Sequence, residues 1–569
     1  MHKSFNKSRL FVVFIVFISI LTFYLTRIIY LQIFKSKDYS IIADNQHNIL
    51  LQIEPQRGDI YDRNLRKMAI DCKVDSVYAV PIEMPGSDKG EIAANLSRLL
   101  DLNEDMILAR LNQEKSFVWI KREVDKDTSE RIEDLNLKSV RLLKEHKRFY
   151  PNGPLASHLI GFTGIDDTGL EGIELLYDGY LRGTPGWRWT VRDAKRRDII
   201  SEDVKFIPPS DGLSVVLTID EAMQHIAENS LDEVFKKYKA KAASIIVMDP
   251  HNGDILALAS RPSFNPNEFS TAGADLYRNR CVTDMYEPGS VFKVFTAACA
   301  IEEGLVDINQ NFFCEDGEYR IAGRILHDHK PLGTLTFREV IEKSSNIGVC
   351  KIAEIIGKER LYKFIKLFGF GELTGADIPG EIEGIVRRPS EWSAVSISSV
   401  PIGQEIAVTS MQLVTAVSAI ANGGYLMKPR VVREVRDSGG NIIKSFDPAI
   451  VRQVISTETA DIIKDIMKGV VESGTGGNAR LEGYTTAGKT GTAQKVEAHG
   501  GYSHTKFVAS FVGFAPAVDP RITILVTVDE PRPVYYGGSV AAPVFRDAAR
   551  DILRYMKIEY DKPGGAVKL

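Results

Sequence analysis

The chain has 569 residues, 71 basic against 75 acidic, a formal net charge of −4 and a hydrophobic content of 44%. That length accommodates several domains, and that apolar share builds a substantial core. The near balance of charge leaves no footprint for nucleic acid, and no zinc-finger or phosphate-loop string occurs.

The only run of membrane length is LFVVFIVFISILTFYLTRIIYL, residues 10–31, with a single charge, Arg27, near its far end. A helix needs about 20 apolar residues to cross the hydrocarbon core, and Arg27 can extend its head group to the interface. Lys3, Lys7 and Arg9 precede the run, so residues 1–9 are expected in the cytoplasm and the rest of the chain outside. No small-residue cleavage site follows, which favours an uncleaved anchor over a signal peptide. Residues 35–51 read as an amphipathic connector.

Residues 32–224 are expected to form a mixed α+β pedestal, with helical stretches such as 91–113 and short strands such as 76–80 and 187–193. Its role is that of a spacer or a docking surface. A strand over 213–219 leads into a long helix opening at Asp220. In the second domain, residues 225–569, ASIIVMD and ILALAS flank Asn252-Gly253, a hairpin signal. A helical block, strands over 507–516 and 522–531, and a closing helix over 542–557 follow. The fold class is therefore α+β: a transmembrane helix, a pedestal, and a domain with a central antiparallel sheet flanked by helices.

Five cysteines, Cys72, Cys281, Cys299, Cys314 and Cys350, are scattered without a C-x-x-C pair, which argues against a disulfide framework or a zinc site. Cys299 and Cys350 lie in apolar helical stretches and read as small core residues. His327-Asp-His329 offers three ligand types, yet Pro331 and Gly333 follow with no further His/Cys cluster, so it reads as a polar loop.

Three short strings carry chemistry: Ser290-Val-Phe-Lys293, Ser344-Ser-Asn346 and Lys489-Thr490-Gly491-Thr492. Singly, each is ordinary; Ser4-Phe-Asn-Lys7 is a chance copy of the first. Their order and flanks give them weight. Glu287-Pro288-Gly289 is unfit for a helix interior, and residues 291–304 then read as a buried helix, so Ser290 opens it and Lys293 stacks one turn below. A serine hydroxyl needs a base, and a lysine serves only when held neutral by apolar neighbours and a second cation, for which Lys489 is the candidate.

The second string lies at a break between two helical stretches, 336–343 and 347–357. There Ser344 can relay a proton, while the Asn346 amide can bond a substrate carbonyl and Lys293. The third precedes a strand. Gly491 would let an acyl chain approach the backbone, Lys489 and Thr490 would together hold a carboxylate, and the amides of Ser290 and Thr492 would form an oxyanion hole.

With these strings, the segments RGDIYDRN (57–64), RFYPNGPLASHLIGF (148–162) and GLEGIELLYDGYLRGTPG (169–186) resemble the pedestal motifs of class B penicillin-binding proteins. Similar family segments recur at 242–260, 401–413 and 510–531, so the likeness covers nearly the whole chain. YYGGSVAAPVFRDAA (535–549), AGKTGTAQK (487–495) and the absence of a C-terminal extension resemble division-specific members.

The resemblance implies a serine-acyl D,D-transpeptidase of the inner membrane that cross-links peptidoglycan stem peptides during septal wall synthesis. It also implies acylation by β-lactams, no metal or cofactor, and partners among divisome proteins, including a SEDS-type glycosyltransferase. The alternatives are an elongation- or sporulation-specific transpeptidase, a β-lactamase or drug sensor, and a catalytically dispensable membrane scaffold. Against the β-lactamase, no E-x-x-L-N string lies between Ser344 and Lys489.

Overall fold

The apolar N-terminal run is helical from Lys7 to Ile29, continued by a wider turn over Tyr30–Phe34. Within it the hydroxyls of Thr22 and Thr26 donate to backbone carbonyls one turn earlier, at 2.8 and 3.0 Å, which satisfies them inside an apolar segment. The helix is long and apolar enough to cross a membrane. This computed structural model describes residues 7–39, 48–137, 139–192, 198–199, 206–497 and 499–562. Residues 40–47 of the expected connector lie outside the described residues, and from Asn48 the chain is a strand.

Two compact units result, one of residues 1–55 with 183–211 and one of 56–182 with 212–569. In the first, Asn48–Ile53 pairs antiparallel with Gly186–Arg192, which also holds Asp198–Ile199 and Phe206–Ile207.

In the second unit, the Lys67–Ala79 strand pairs with Ile60–Tyr61, Val118–Val124 and Val140–Phe149. One face of this sheet carries Val77, Ala79 and Ile120, buried with Leu96, Ile107 and Leu111 of the adjoining helices. The helical stretch predicted over 91–113 is two helices, Lys89–Leu100 and Glu104–Leu111. Asp101 ends the first in a left-handed conformation (φ 52°), and the Asn103 side chain starts the second by accepting from Met106 N.

The expected 213–219 strand forms as Ser214–Leu217, parallel to Ile60–Tyr61 and antiparallel to Val432–Arg436. Asp220 then caps the Glu221–Lys237 helix, accepting from the amides of Ala222 and Met223 at 3.0 and 3.2 Å.

The central sheet is five-stranded and antiparallel, in the order Ile255–Arg261, Ala242–Met248, Ile522–Asp529, Tyr502–Ala515, Ala487–Val496. Strand alternation gives it two apolar faces. Ile245, Val247, Phe511 and Val526 share one core with the Glu221–Lys237 and Gly537–Tyr555 helices. Ile246, Val512 and Leu525 share the other with the Lys293–Glu302 and Ser410–Ala421 helices. The Ala487–Val496 strand, which carries the third string, is the sheet's edge.

The RGDIYDRN segment owes its position to Arg57, 1% exposed. Its guanidinium donates to Glu174 Oε2 (2.9 Å), Asp178 Oδ1 (2.7 Å) and the carbonyls of Asp167 and Glu174, while Arg148 Nε reaches Glu174 Oε1 at 2.6 Å. Removing one member of such a cluster leaves buried charge without a partner. Arg57→Met is expected to destabilise this unit by about 3–5 kcal/mol, read as a lowered unfolding midpoint of the full chain in detergent; a midpoint equal to that of the unsubstituted protein would contradict it.

Candidate active site

Ser290 lies in a tight turn, Gly289–Phe292, that runs directly into the Lys293–Glu302 helix, and Gly304 closes that helix as expected. The turn is seated by Gly289, whose φ of +54° suits glycine and whose N–H donates to the Gly403 carbonyl at 3.1 Å. A Cβ on Gly289 would lie 3.2 Å from the Thr492 carbonyl oxygen, so the turn abuts the edge strand at the third string. Ser290 is half-buried.

Lys293 is fully buried. Its Nζ donates to the Ser344 carbonyl at 2.6 Å and to Asn346 Oδ1 at 2.7 Å, with Ser344 Oγ at 3.2 Å. No hydrogen bond joins it to Ser290 among the described residues; the amine faces the second string instead. Burial pushes the Lys293 amine down to about 7, against a smaller upward pull from Asp328.

Lys489 is equally buried, and its Nζ reaches Ser344 Oγ at 2.9 Å and its neighbour's carbonyl, Thr490 O, at 3.3 Å. Burial first, and the charge of Lys293 second, hold its amine well below the ordinary lysine range. The hydroxyl of Ser344 thus stands between two amines. Ser344 itself occupies the left-handed region (φ 59°), between the Phe337–Glu342 and Asn346–Ile356 helices. A non-glycine residue there costs about 1–3 kcal/mol and must be held by its surroundings.

What holds it is Asp328, which the sequence presented only as part of a polar loop. Its carboxylate accepts from the amides of Asn346 and Ile347 and from Ser345 Oγ, the last at 2.6 Å, while Ser345 caps the helix by accepting from Gly348 N. Asn346 Nδ2 donates to the His327 carbonyl at 2.8 Å, so both ends of its amide are engaged, one on Lys293 and one on this loop. His329 from the same loop sets its ring against Tyr536, centroids 5.6 Å apart. A helix cap donated from another segment has no local sequence signature.

One expectation about the third string needs correction. Successive strand residues point to opposite faces, so Lys489 and Thr490 cannot grip one group side by side. Lys489 turns to Ser344, whereas Thr490 Oγ1 bonds Thr475 Oγ1 at 2.9 Å on the other face. Thr492 shares the Thr490 face and accepts from Gly537 N at 3.0 Å. Gly491 is required from the protein side as well: a Cβ there would meet Ser510 Oγ, Val291 Cγ2 at 2.9 Å and the Pro288 carbonyl at 3.0 Å.

Comparison with known proteins identifies two domains. The penicillin-binding protein transpeptidase domain matches residues 243–550, and the penicillin-binding protein dimerisation domain matches 52–217. The chain is 37% identical to stage V sporulation protein D of Bacillus subtilis over 93% of this chain and 82% of that protein. It is 33% identical to the peptidoglycan D,D-transpeptidase FtsI of Escherichia coli K12 over 95% of this chain and 90% of the other. Among solved structures, penicillin-binding protein 3 of Mycobacterium tuberculosis in complex with aztreonam superposes with a TM-score of 0.69 at 26% identity, covering 90% of this chain and 99% of that one. A dimerisation domain ahead of a transpeptidase domain, and relatives matched over 82% and 90% of their length, place the chain in the class B penicillin-binding protein family.

Proposed function

We propose that the chain is a serine-acyl peptidoglycan D,D-transpeptidase acting in septal wall synthesis. The observation that carries the chemistry is the meeting of two buried lysine amines at the Ser344 hydroxyl, one of them from Lys293, a turn after Ser290 in the chain.

Ser290 Oγ attacks the penultimate D-alanyl carbonyl of a donor stem peptide, and its proton passes to neutral Lys293. The two carbonyl oxygens that Lys293 bonds can only accept, so a neutral amine spends both N–H groups on them and keeps its lone pair for that proton. The oxyanion is met by the amides of Ser290 and Thr492. As the tetrahedral intermediate collapses, the C–N bond breaks and Ser344 passes a proton to the leaving D-alanine amine, Lys293 resupplying it across 3.2 Å. The acceptor amine of a second stem peptide then attacks the ester, loses its proton by the same route and frees Ser290.

The donor carboxylate falls to the Thr490 and Thr492 hydroxyls, which share one face of the edge strand. The start of the Gly537–Tyr555 helix stands beside them through the Gly537–Thr492 bond, and helix N-termini favour anions. No metal or cofactor enters these steps.

The same reading assigns residues 10–31 as a single-pass anchor with residues 1–9 in the cytoplasm, 32–224 as the pedestal and 225–569 as the catalytic domain outside. Divisome proteins and a SEDS-type glycosyltransferase are the proposed partners.

Intact mass spectrometry of the full chain in detergent after brief exposure to benzylpenicillin is expected to give one long-lived adduct on Ser290, absent from Ser290→Ala. No adduct, or an adduct elsewhere, would sink the assignment, and rapid loss with drug turnover would make the protein a hydrolase.

The acylation rate should also report the Lys293 amine. Protonation removes the base, so below about 7 the rate should fall close to tenfold per pH unit, with a plateau above. Lys293→Met should lose about 10²–10⁴-fold. Asp328 favours the protonated amine, so Asp328→Asn should move the acid limb to lower pH. A limb that stays fixed or moves upward would show that Asp328 does not act on Lys293.

A further inference from the structure

A cavity of about 330 Å³ lies in the second unit, with none of Ser290, Lys293, Ser344 and Lys489 in its lining. Its floor is the end of the central sheet, at Ser244, Val508 and Thr527, on the face that also carries Lys489. Its roof is the Met285–Tyr286 strand, held by pairing with Val408–Thr409, and the chain runs from this strand through Glu287 to Ser290. That volume lies at the lower end of small-molecule sites, roughly 300–1,000 Å³.

Two features of the lining define a ligand. The first is a set of hydroxyls: Tyr286 Oη and Thr527 Oγ1 lie 3.2 Å apart, and Ser410 Oγ is 3.5 Å from Thr527 Oγ1, with the Ser244 hydroxyl on the same wall. Each is both donor and acceptor and suits a polyhydroxyl body. The second is an excess of guanidinium. Arg278 and Arg280 both bond the single carboxylate of Asp284, whereas Lys495, also in the lining, is held by two carboxylates, Asp529 at 2.8 Å and Glu530 at 2.9 Å, so the cationic excess is local to the arginine end. At that end, two forks sharing one carboxylate leave a local positive balance and spare N–H donors, the arrangement that recognises a second carboxylate.

We propose that this cavity is a second small-molecule site, taking a carboxylate-bearing hydroxylated molecule of monosaccharide size, a sugar acid, with its carboxylate at Arg278 and Arg280 and its hydroxyls on Tyr286, Ser410 and Thr527. An occupant would press on the strand that leads into Ser290. The site is independent of the acyl-transfer reading.

The test is saturation-transfer NMR on the full chain in detergent, first acylated with benzylpenicillin so that the Ser290 cleft is filled. N-acetylmuramic acid is the probe. N-acetylglucosamine, which lacks the lactyl carboxylate, and lactate, which lacks the sugar, are its two halves. The acid is expected to bind at least about tenfold more tightly than either half, and Arg278→Ala or Thr527→Val to weaken it by about fivefold or more. Formation of the Ser290 adduct by each variant shows that it is folded. Equal affinity for the acid and N-acetylglucosamine, affinity unchanged in both variants, or no binding at millimolar concentration would each overturn the proposal. A protein that forms no adduct would instead count against the transpeptidase reading and leave the NMR result to decide the cavity.

Discussion

Burying two amines against one hydroxyl is the constraint from which the rest of the second unit follows. Lys293 and Lys489 are both removed from water and both directed at Ser344 Oγ. Taking a charged ammonium out of water costs several kcal/mol, and two in one place also repel. Burial therefore lowers the proton affinity of both amines. Every atom that receives these amines is a neutral oxygen, the carbonyls of Ser344 and Thr490, the Asn346 amide and the Ser344 hydroxyl. A carboxylate in any of those places would restore the charge and abolish the base. Asp328 is the nearest exception, and its oxygens are already taken up by two helix amides and Ser345. Its pull on Lys293 is therefore the smaller effect, and burial decides the sign.

Such a pair persists only if three segments distant in sequence are held rigidly. The Ser344 turn is held in an unfavourable backbone region by caps on the helix that follows it, so the strain is offset where it arises. The Ser290 turn and the edge strand are held against each other by the absence of side chains: at Gly289 and at Gly491 a Cβ would meet the opposing backbone. Sequence placed a glycine at the third string and attributed it to substrate. Packing supplies the nearer reason.

The legible parts of this fold were those with local causes. The Asp220 cap, the Asn252-Gly253 hairpin and the helix carrying Lys293 each follow from spacing or a turn residue, and each forms where expected. Illegible parts depend on partners far along the chain. Nothing in LSVVLTI says that its strand will join Ile60–Tyr61 on one side and Val432–Arg436 on the other. Nothing near Asp328 says that it will cap the helix holding Asn346. At the third string, strand alternation alone would have separated Lys489 from Thr490; a grip by adjacent residues is a helical or loop idea applied to a strand.

Asp220 shows how the family's first pedestal motif is tied to the catalytic machinery. Its carboxylate, 3% exposed, caps the Glu221–Lys237 helix and also accepts from Asn64 Nδ2 of RGDIYDRN at 2.8 Å and from Tyr555 Oη at 3.2 Å. Tyr555 ends the helix whose first residue, Gly537, bonds Thr492. An α-helix transmits displacement along its axis with little compression, because its backbone bonds run the same way. The Asn64 and Tyr555 bonds link the RGDIYDRN segment through Asp220 to the closing helix, whose first residue bonds the Thr492 hydroxyl. The pedestal is thus part of the frame that sets the cleft, which gives a spacer domain a mechanical reason to be bonded so closely to the helix on which the site depends.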